Sequence, residues 1–315
     1  MPVLNINETK INCTQLAYKG EGRPEDLIMV HGLASNMAFW LGDYAKQFSA
    51  RFRVTLFDLR GHGRSALTDN GYTAKNLAVD LKELLDSLGI DKAHIVAHSF
   101  GGVVAMNYVY ENPQTVSSLV LMDTQINIGR AMVKSNGWTA ANALQLALKE
   151  CGINIDTKHP YFGYHLMTEV ARFKKSGTPI PEKLYPWVQR IFEGNSPRTA
   201  EKWLDLIENT KALDELTGND NLSANNLYKI KCPVLAVYGE NSHSMATANY
   251  LNTLWSDKDF VSIKGAGHFF PKASPQMVME LCDAFWDKEG LDDVINDYEC
   301  LNYISYSEDA SKKVL

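Results

Sequence analysis

The sequence has no apolar run approaching the ~20 residues that a helix needs to span a membrane. None of its five cysteines sits in a C-x-x-C pair. The first absence argues against a helical membrane protein, the second against a zinc site or a disulfide framework. The cysteines, Cys13, Cys151, Cys232, Cys282 and Cys300, are odd in number and scattered. They read as small buried hydrophobes in a reducing cytoplasm. Basic charge is also scarce, with 31 Lys+Arg against 37 Asp+Glu and a net charge of -6. That is the wrong sign for a nucleic-acid partner. Residues 1–10 lack the basic and apolar regions of a signal peptide. There is no internal repeat and no low-complexity segment. What is present is an ordinary globular composition, 45% hydrophobic and 22% charged over 315 residues. This length supports one large α/β domain or a core domain with an insertion.

Short apolar runs at Leu27–Val30, Val54–Phe57, His94–Ala97 and Leu119–Met122 are too short for helices and read as buried strands. Between them, Met37–Ser49, Ala74–Leu88 and Phe100–Tyr110 have helical spacing or composition. The alternation predicts β-α-β units and a mainly parallel sheet. Val3–Asn7 and Ile11–Tyr18 are expected to form an antiparallel edge before it. After Asp123 the rhythm stops. Residues 124–229 read as helices near Thr139–Cys151, Gly163–Lys174, Pro181–Phe192 and Thr199–Leu216. The rhythm resumes with strands at Pro233–Tyr238 and Asp259–Ile263 and helices at Met245–Trp255 and Pro275–Trp286. The expected organisation is a core of residues 1–123 and 230–286, a helical cap inserted at 124–229, and an acidic tail at 287–315. The tail holds eight acids and three lysines. It is expected to be solvated or loosely docked rather than to add a strand.

The strongest chemical signal is His94-Ile95-Val96-Ala97-His98-Ser99-Phe100-Gly101-Gly102. A buried strand runs into Ser99 and a helix runs out, with small residues two positions to either side. That is the form of a nucleophile elbow, in which a tight turn presents the serine hydroxyl at the sheet's edge. His31-Gly32-Leu33 follows an earlier strand. A turn there would aim the Leu33 N–H, together with that of Phe100, at charge developing on a substrate oxygen. His31 itself reads as an organiser of that loop. Asp58-Leu59-Arg60-Gly61-His62-Gly63-Arg64-Ser65 is a glycine-punctuated loop whose charges read as structural. A serine nucleophile needs a histidine base. His268, in Gly265-Ala266-Gly267-His268-Phe269-Phe270-Pro271, follows the last predicted core strand and is the candidate. His98 neighbours Ser99 in sequence but points to the other face of its strand.

These segments, HGL at 31–33, DLRGHGRS at 58–65, AHSFGG at 97–102 and GAGHFFP at 265–271, resemble the α/β-hydrolase superfamily. The resemblance covers about Val3 to Trp286. It implies an α/β-hydrolase fold with a mainly parallel sheet, a helical cap after the sixth strand, and a chain order of serine, acid, histidine. The acid departs from the family pattern. Many relatives carry Gly-x-x-Asp after the strand that follows the cap, and here that stretch reads Gly239-Glu240-Asn241-Ser242. Asp123 is the favoured replacement, because some branches place their acid after the preceding strand. Glu240 is the fallback, and a site without any acid is the third reading.

The cap carries Trp138, Tyr161, Phe162, Tyr164, Trp187, Phe192 and Trp203. At helical spacing such residues are mostly cap core. Phe269, Met132, Trp138 and Phe162 are the candidate pocket residues, and they imply a small-molecule substrate with an apolar acyl or alkyl part. The expected activity is cofactor-free cytoplasmic hydrolysis of an ester, lactone or thioester through Ser99. C–C bond hydrolysis, acyl transfer, or a low-turnover binding protein on the same scaffold are the alternatives. A serine at position 99 argues against the dehalogenase and epoxide-hydrolase branches, which resemble this one but use an aspartate nucleophile.

Overall fold

The computed structural model describes residues 3–136, 141–188 and 197–304. Its frame is one nine-stranded sheet: β1 Val3–Ile6, β2 Thr9–Leu16, β3 Glu25–Val30, β4 Phe52–Phe57, β5 Ala93–His98, β6 Val116–Met122, β7 Val234–Gly239, β8 Asp259–Ile263 and β9 Leu301–Tyr303. The spatial order is β1-β2-β4-β3-β5-β6-β7-β8-β9. Strands β3 to β8 are mutually parallel, while β1, β2 and β9 pair antiparallel at the two edges.

The central strands are apolar on both faces because both faces are covered. In β6, Leu119 and Leu121 enter one core cluster, and Val120 and Met122 enter the other. In β3, Ile28 and Val30 divide from Leu27 and Met29 in the same way. This two-sided burial turns the alternation of a half-buried strand into a continuous apolar run. Helices Ala74–Ser87 and Phe100–Glu111 cover the first face. Trp40, Tyr44, Phe48 and helix Pro275–Asp287 cover the second, where Trp286 meets Phe48 and Phe52 edge-on.

Between β6 and β7 the described residues form helices and connecting segments only, the longest being Phe162–Ser176 and Pro197–Asn209. These two pack on each other through Trp203, whose ring N–H donates to Thr168 Oγ1 at 3.1 Å.

Three segments depart from expectation. The helix expected over Met37–Ser49 is two short helices, Ala38–Leu41 and Tyr44–Phe48, separated at Gly42, a residue that costs helix stability. Helix Asn127–Asn136 was not anticipated. The segment after Trp286 is not loosely docked as expected. It forms helix Leu291–Asp297 and then β9, which pairs with β8. Ile295 and Leu301 are buried, and the Lys264 N–H donates to the Cys300 carbonyl at 2.7 Å. A single apolar residue in a three-residue strand leaves no periodicity to read. Position 192, the end of the helix expected over Pro181–Phe192, lies outside the described residues.

Candidate active site

Because β3 and β5 to β8 are parallel, their C-terminal ends share one edge of the sheet, and the candidate residues collect there. Ser99 follows β5, with φ 56° and ψ −127°. This left-handed geometry is strained for a residue with a Cβ, by about 1–3 kcal/mol. Neighbouring glycines permit it. A Cβ on Gly101 would stand 2.6 Å from the carbonyl oxygens of Val30 and His31. On Gly32 it would stand 2.9 Å from the Ser99 Cβ, so the loop after β3 lies directly against the serine.

His268 follows β8 and approaches Ser99 Oγ with Nε2 at 3.0 Å. Its Nδ1 lies 2.6 Å from Oδ2 of Asp123. Asp123 follows β6, is fully buried, and has φ 51°. Its Oδ1 accepts from the Gly239 N–H at 2.9 Å, and Oδ2 also accepts from the Ser242 hydroxyl. Burial pushes the carboxyl pKa up. The hydrogen bonds from His268 and Ser242 and the His268 charge outweigh burial and hold it down at about 2. Ser242, where the family resemblance leads one to expect an acid, is instead a donor to Asp123. Glu240 is elsewhere. It is exposed, and its carboxylate accepts from the Gly265 N–H at 2.8 Å, which ties down the start of the His268 loop.

The loop after β3 is set by His31. The Leu59 N–H donates to its Nε2 at 3.0 Å, so the proton is on Nδ1, which donates to the Gly32 carbonyl at 2.7 Å. Burial favours this neutral ring by lowering its pKa. In a trans peptide the C=O and the following N–H point in opposite directions. Holding the Gly32 oxygen therefore fixes where the Leu33 N–H points. At Phe100, the first residue of its helix, the backbone N–H has no intrahelical acceptor.

Two further histidines flank His268, with ring centroids 4.9 Å (His98) and 5.1 Å (His243) away. Burial, reinforced by the His268 charge, pushes both pKa values down to about 3. His98 Nε2 bonds the His268 carbonyl at 3.0 Å, and its ring stacks on Phe39. His98 thus holds the backbone of His268. The place of His243 beside His268 was not read from the sequence. Its only signal was adjacency to Ser242.

Among the expected pocket residues, Phe269 lies 5.0 Å from the His268 ring. Phe162 meets His243 edge-on at 6.3 Å, which brings a residue from between β6 and β7 over the site. Met132 is half-buried and packs against the core. Trp138 lies outside the described residues. Tyr164 and Trp203 are buried among the helices. In the Asp58 loop, the carboxylate accepts from the N–H groups of Met37 and Arg64 and from the Asn12 amide, and Arg60 pairs with Asp80. Both acids do structural work.

A family model described as the alpha/beta hydrolase fold matches residues 27–272. The chain belongs to the α/β-hydrolase fold family. It is similar to an uncharacterised protein of Mycobacterium tuberculosis, 37% identical over 106 residues, which are 34% of this chain and 31% of that one. It is 30% identical to the soluble epoxide hydrolase of Corynebacterium sp. strain C12 over 117 residues, 37% of this chain and 41% of that one. The chain thus spans less than half the length of these curated relatives. Among solved structures, the enol-lactonase from Burkholderia xenovorans LB400 shares the fold, with a TM-score of 0.62 at 17% identity. That match covers 91% of this chain and 100% of the other. No helix among the described residues is long and apolar enough to cross a membrane.

Proposed function

We propose that this protein is a serine hydrolase that cleaves an ester, lactone or thioester with an apolar acyl or alkyl part through an acyl-enzyme on Ser99. The observation that carries this reading is the unbroken relay from Ser99 Oγ to His268 Nε2 at 3.0 Å and from His268 Nδ1 to Asp123 at 2.6 Å.

In this mechanism Ser99 Oγ attacks the substrate carbonyl carbon while His268 Nε2 takes the hydroxyl proton. The carbonyl electrons move onto oxygen, where the N–H groups of Leu33 and Phe100 receive the charge. His268 then gives its proton to the leaving group as the C–O or C–S bond breaks. A water molecule, deprotonated by His268, attacks the acyl-enzyme and frees Ser99. Asp123 keeps the proton of the resting imidazole on Nδ1 and stabilises the imidazolium that forms. His98 and His243 stay neutral, so they add no cation to compete for that carboxylate. Phe162 and Phe269 supply apolar walls near the reacting atoms. The nucleophile separates this chemistry from that of the epoxide hydrolase relative, because the resembling epoxide-hydrolase branch attacks with a carboxylate.

The test is hydrolysis of p-nitrophenyl esters from acetate to decanoate by wild type and Ser99→Ala. Turnover that vanishes in Ser99→Ala supports the reading. An inert wild type across the series, or a Ser99→Ala variant with wild-type turnover, overturns it.

A further inference from the structure

Beside the loop that carries Leu33 lies a cavity of about 300 Å³, between residues 34–41, the Asp58 loop and the helix Pro197–Asn209. Its walls bring together three cationic side chains, Arg64, Arg198 and Lys202. Neither guanidinium has a side-chain hydrogen bond or ion pair among the described residues. Lys202 spends one N–H on the Ser65 carbonyl. The single acid in the wall, Asp58, is 2% exposed, and its oxygens are already engaged by three N–H donors. His62, 5% exposed, lines the same cavity. Its Nδ1 donates to the Arg60 carbonyl, which leaves Nε2 an acceptor without a partner among the described residues, so the ring takes no part in holding an anion. Arg64 and Arg198 are exposed, so their guanidinium N–H groups are open to an anion arriving from solvent, and no unengaged carboxylate lines the cavity to take them first. Trp203 and Met37 give the cavity an apolar side, which suits a carbon chain behind the charged group.

We propose that this cavity binds an anionic oxygen group, a carboxylate or a phosphate, carried by the same molecule whose acyl bond Ser99 attacks. Arg64 and Arg198 grip the group, and Lys202 adds charge from the side. The inference rests on the hydrolase reading for the identity of the carrier, but not for the binding itself. Ala34 in the cavity wall is two residues from Gly32, which lies against Ser99, so the cavity borders the loop at the serine and a molecule acylating Ser99 has its anionic end within reach of the arginines.

Two arms test it. In the first, inorganic phosphate and glutarate are titrated by calorimetry into Ser99→Ala and into Ser99→Ala carrying Arg64→Gln and Arg198→Gln. Binding that weakens by roughly tenfold to a hundredfold in the arginine variant, the loss typical of charge-assisted hydrogen bonds, supports the site. No binding of either anion to the folded Ser99→Ala protein overturns it, whether or not the wild type hydrolyses any ester. In the second arm, kcat/KM is compared for the p-nitrophenyl half-ester of adipate and for p-nitrophenyl hexanoate. The adipate-to-hexanoate ratio is expected to fall roughly tenfold to a hundredfold in Arg64→Gln/Arg198→Gln. A ratio unchanged by the substitutions, with anion binding intact in the first arm, means a site for a free anion and overturns the assignment to substrate.

Discussion

Replacing Asp123 by asparagine keeps the shape of the side chain and removes its charge. The structure dictates how the new amide sits. The Gly239 N–H points at Oδ1 from 2.9 Å and needs an acceptor, so the amide oxygen takes that position. The amide NH2 then faces His268 Nδ1 and the Ser242 hydroxyl, where the carboxylate accepted two hydrogen bonds. An NH2 donor forces His268 to hold its proton on Nε2 rather than Nδ1. In that tautomer the nitrogen beside Ser99 cannot take the hydroxyl proton. The same substitution in a serine protease lowers kcat by about 10⁴-fold for the same reason. We expect a loss of about 10³- to 10⁴-fold here, or roughly 4–5.5 kcal/mol of transition-state stabilisation. The assay is steady-state hydrolysis of a p-nitrophenyl ester near neutral pH, with circular dichroism to confirm folding. Glu240→Gln runs beside it as the control and should stay within about threefold of wild type, since that side chain only anchors the Gly265 N–H. An Asp123→Asn variant within tenfold of wild type, or a crippled Glu240→Gln, would refute the reasoning.

Four other outcomes are expected. His62, His98 and His243 have pKa values pushed from 6.5 to about 3 by burial. The unfolded chain therefore takes up protons first as pH falls below 6.5, and each histidine removes about 1 kcal/mol of stability per pH unit. The urea midpoint should fall steadily from pH 6 to 4, and a flat midpoint would contradict the buried neutral rings. Asp123 acts in the same direction over a lower pH range. Its pKa is lowered from 3.8 to about 2, so it contributes about 2 kcal/mol above pH 4 that is lost as pH falls toward 2. In acid-unfolding curves, Asp123→Asn should accordingly show a shallower pH dependence over that range than wild type. Gly101→Ala forces a methyl against two backbone carbonyls and should cost about 1–3 kcal/mol in chemical unfolding, together with activity. A chain ending at Gly290 loses the burial of Ile295 and Leu301 and should be about 3–5 kcal/mol less stable. An unchanged melting temperature would mean that β9 adds nothing.

The parts of the fold legible in the sequence were those where one local pattern had one physical cause. Runs such as Leu119–Met122 are continuous because both faces of their strands are covered. The sharp turn at Ser99 was legible because only small residues tolerate backbone oxygens at 2.6 Å. Asp123 could be named as a candidate because it ends a strand on the same sheet edge as Ser99. Its partners could not be named, because Gly239 and Ser242 lie 116 and 119 residues away and meet it only through the β6–β7 pairing. His98 was set aside for pointing away from Ser99, and nothing local showed that it would reach the His268 backbone. The tail strand was missed because its stability comes from the open edge of β8, not from its own three residues.

The central claim is that Ser99 becomes acylated, and the most direct measurement is the intact mass of the protein after acid quench from p-nitrophenyl hexanoate. Peptide mapping then locates any adduct. The account predicts one hexanoyl group, on the peptide containing Ser99, and none on the Ser99→Ala protein. An adduct on another residue, or an equal adduct on Ser99→Ala, would contradict it. So would turnover with no covalent species at any quench time.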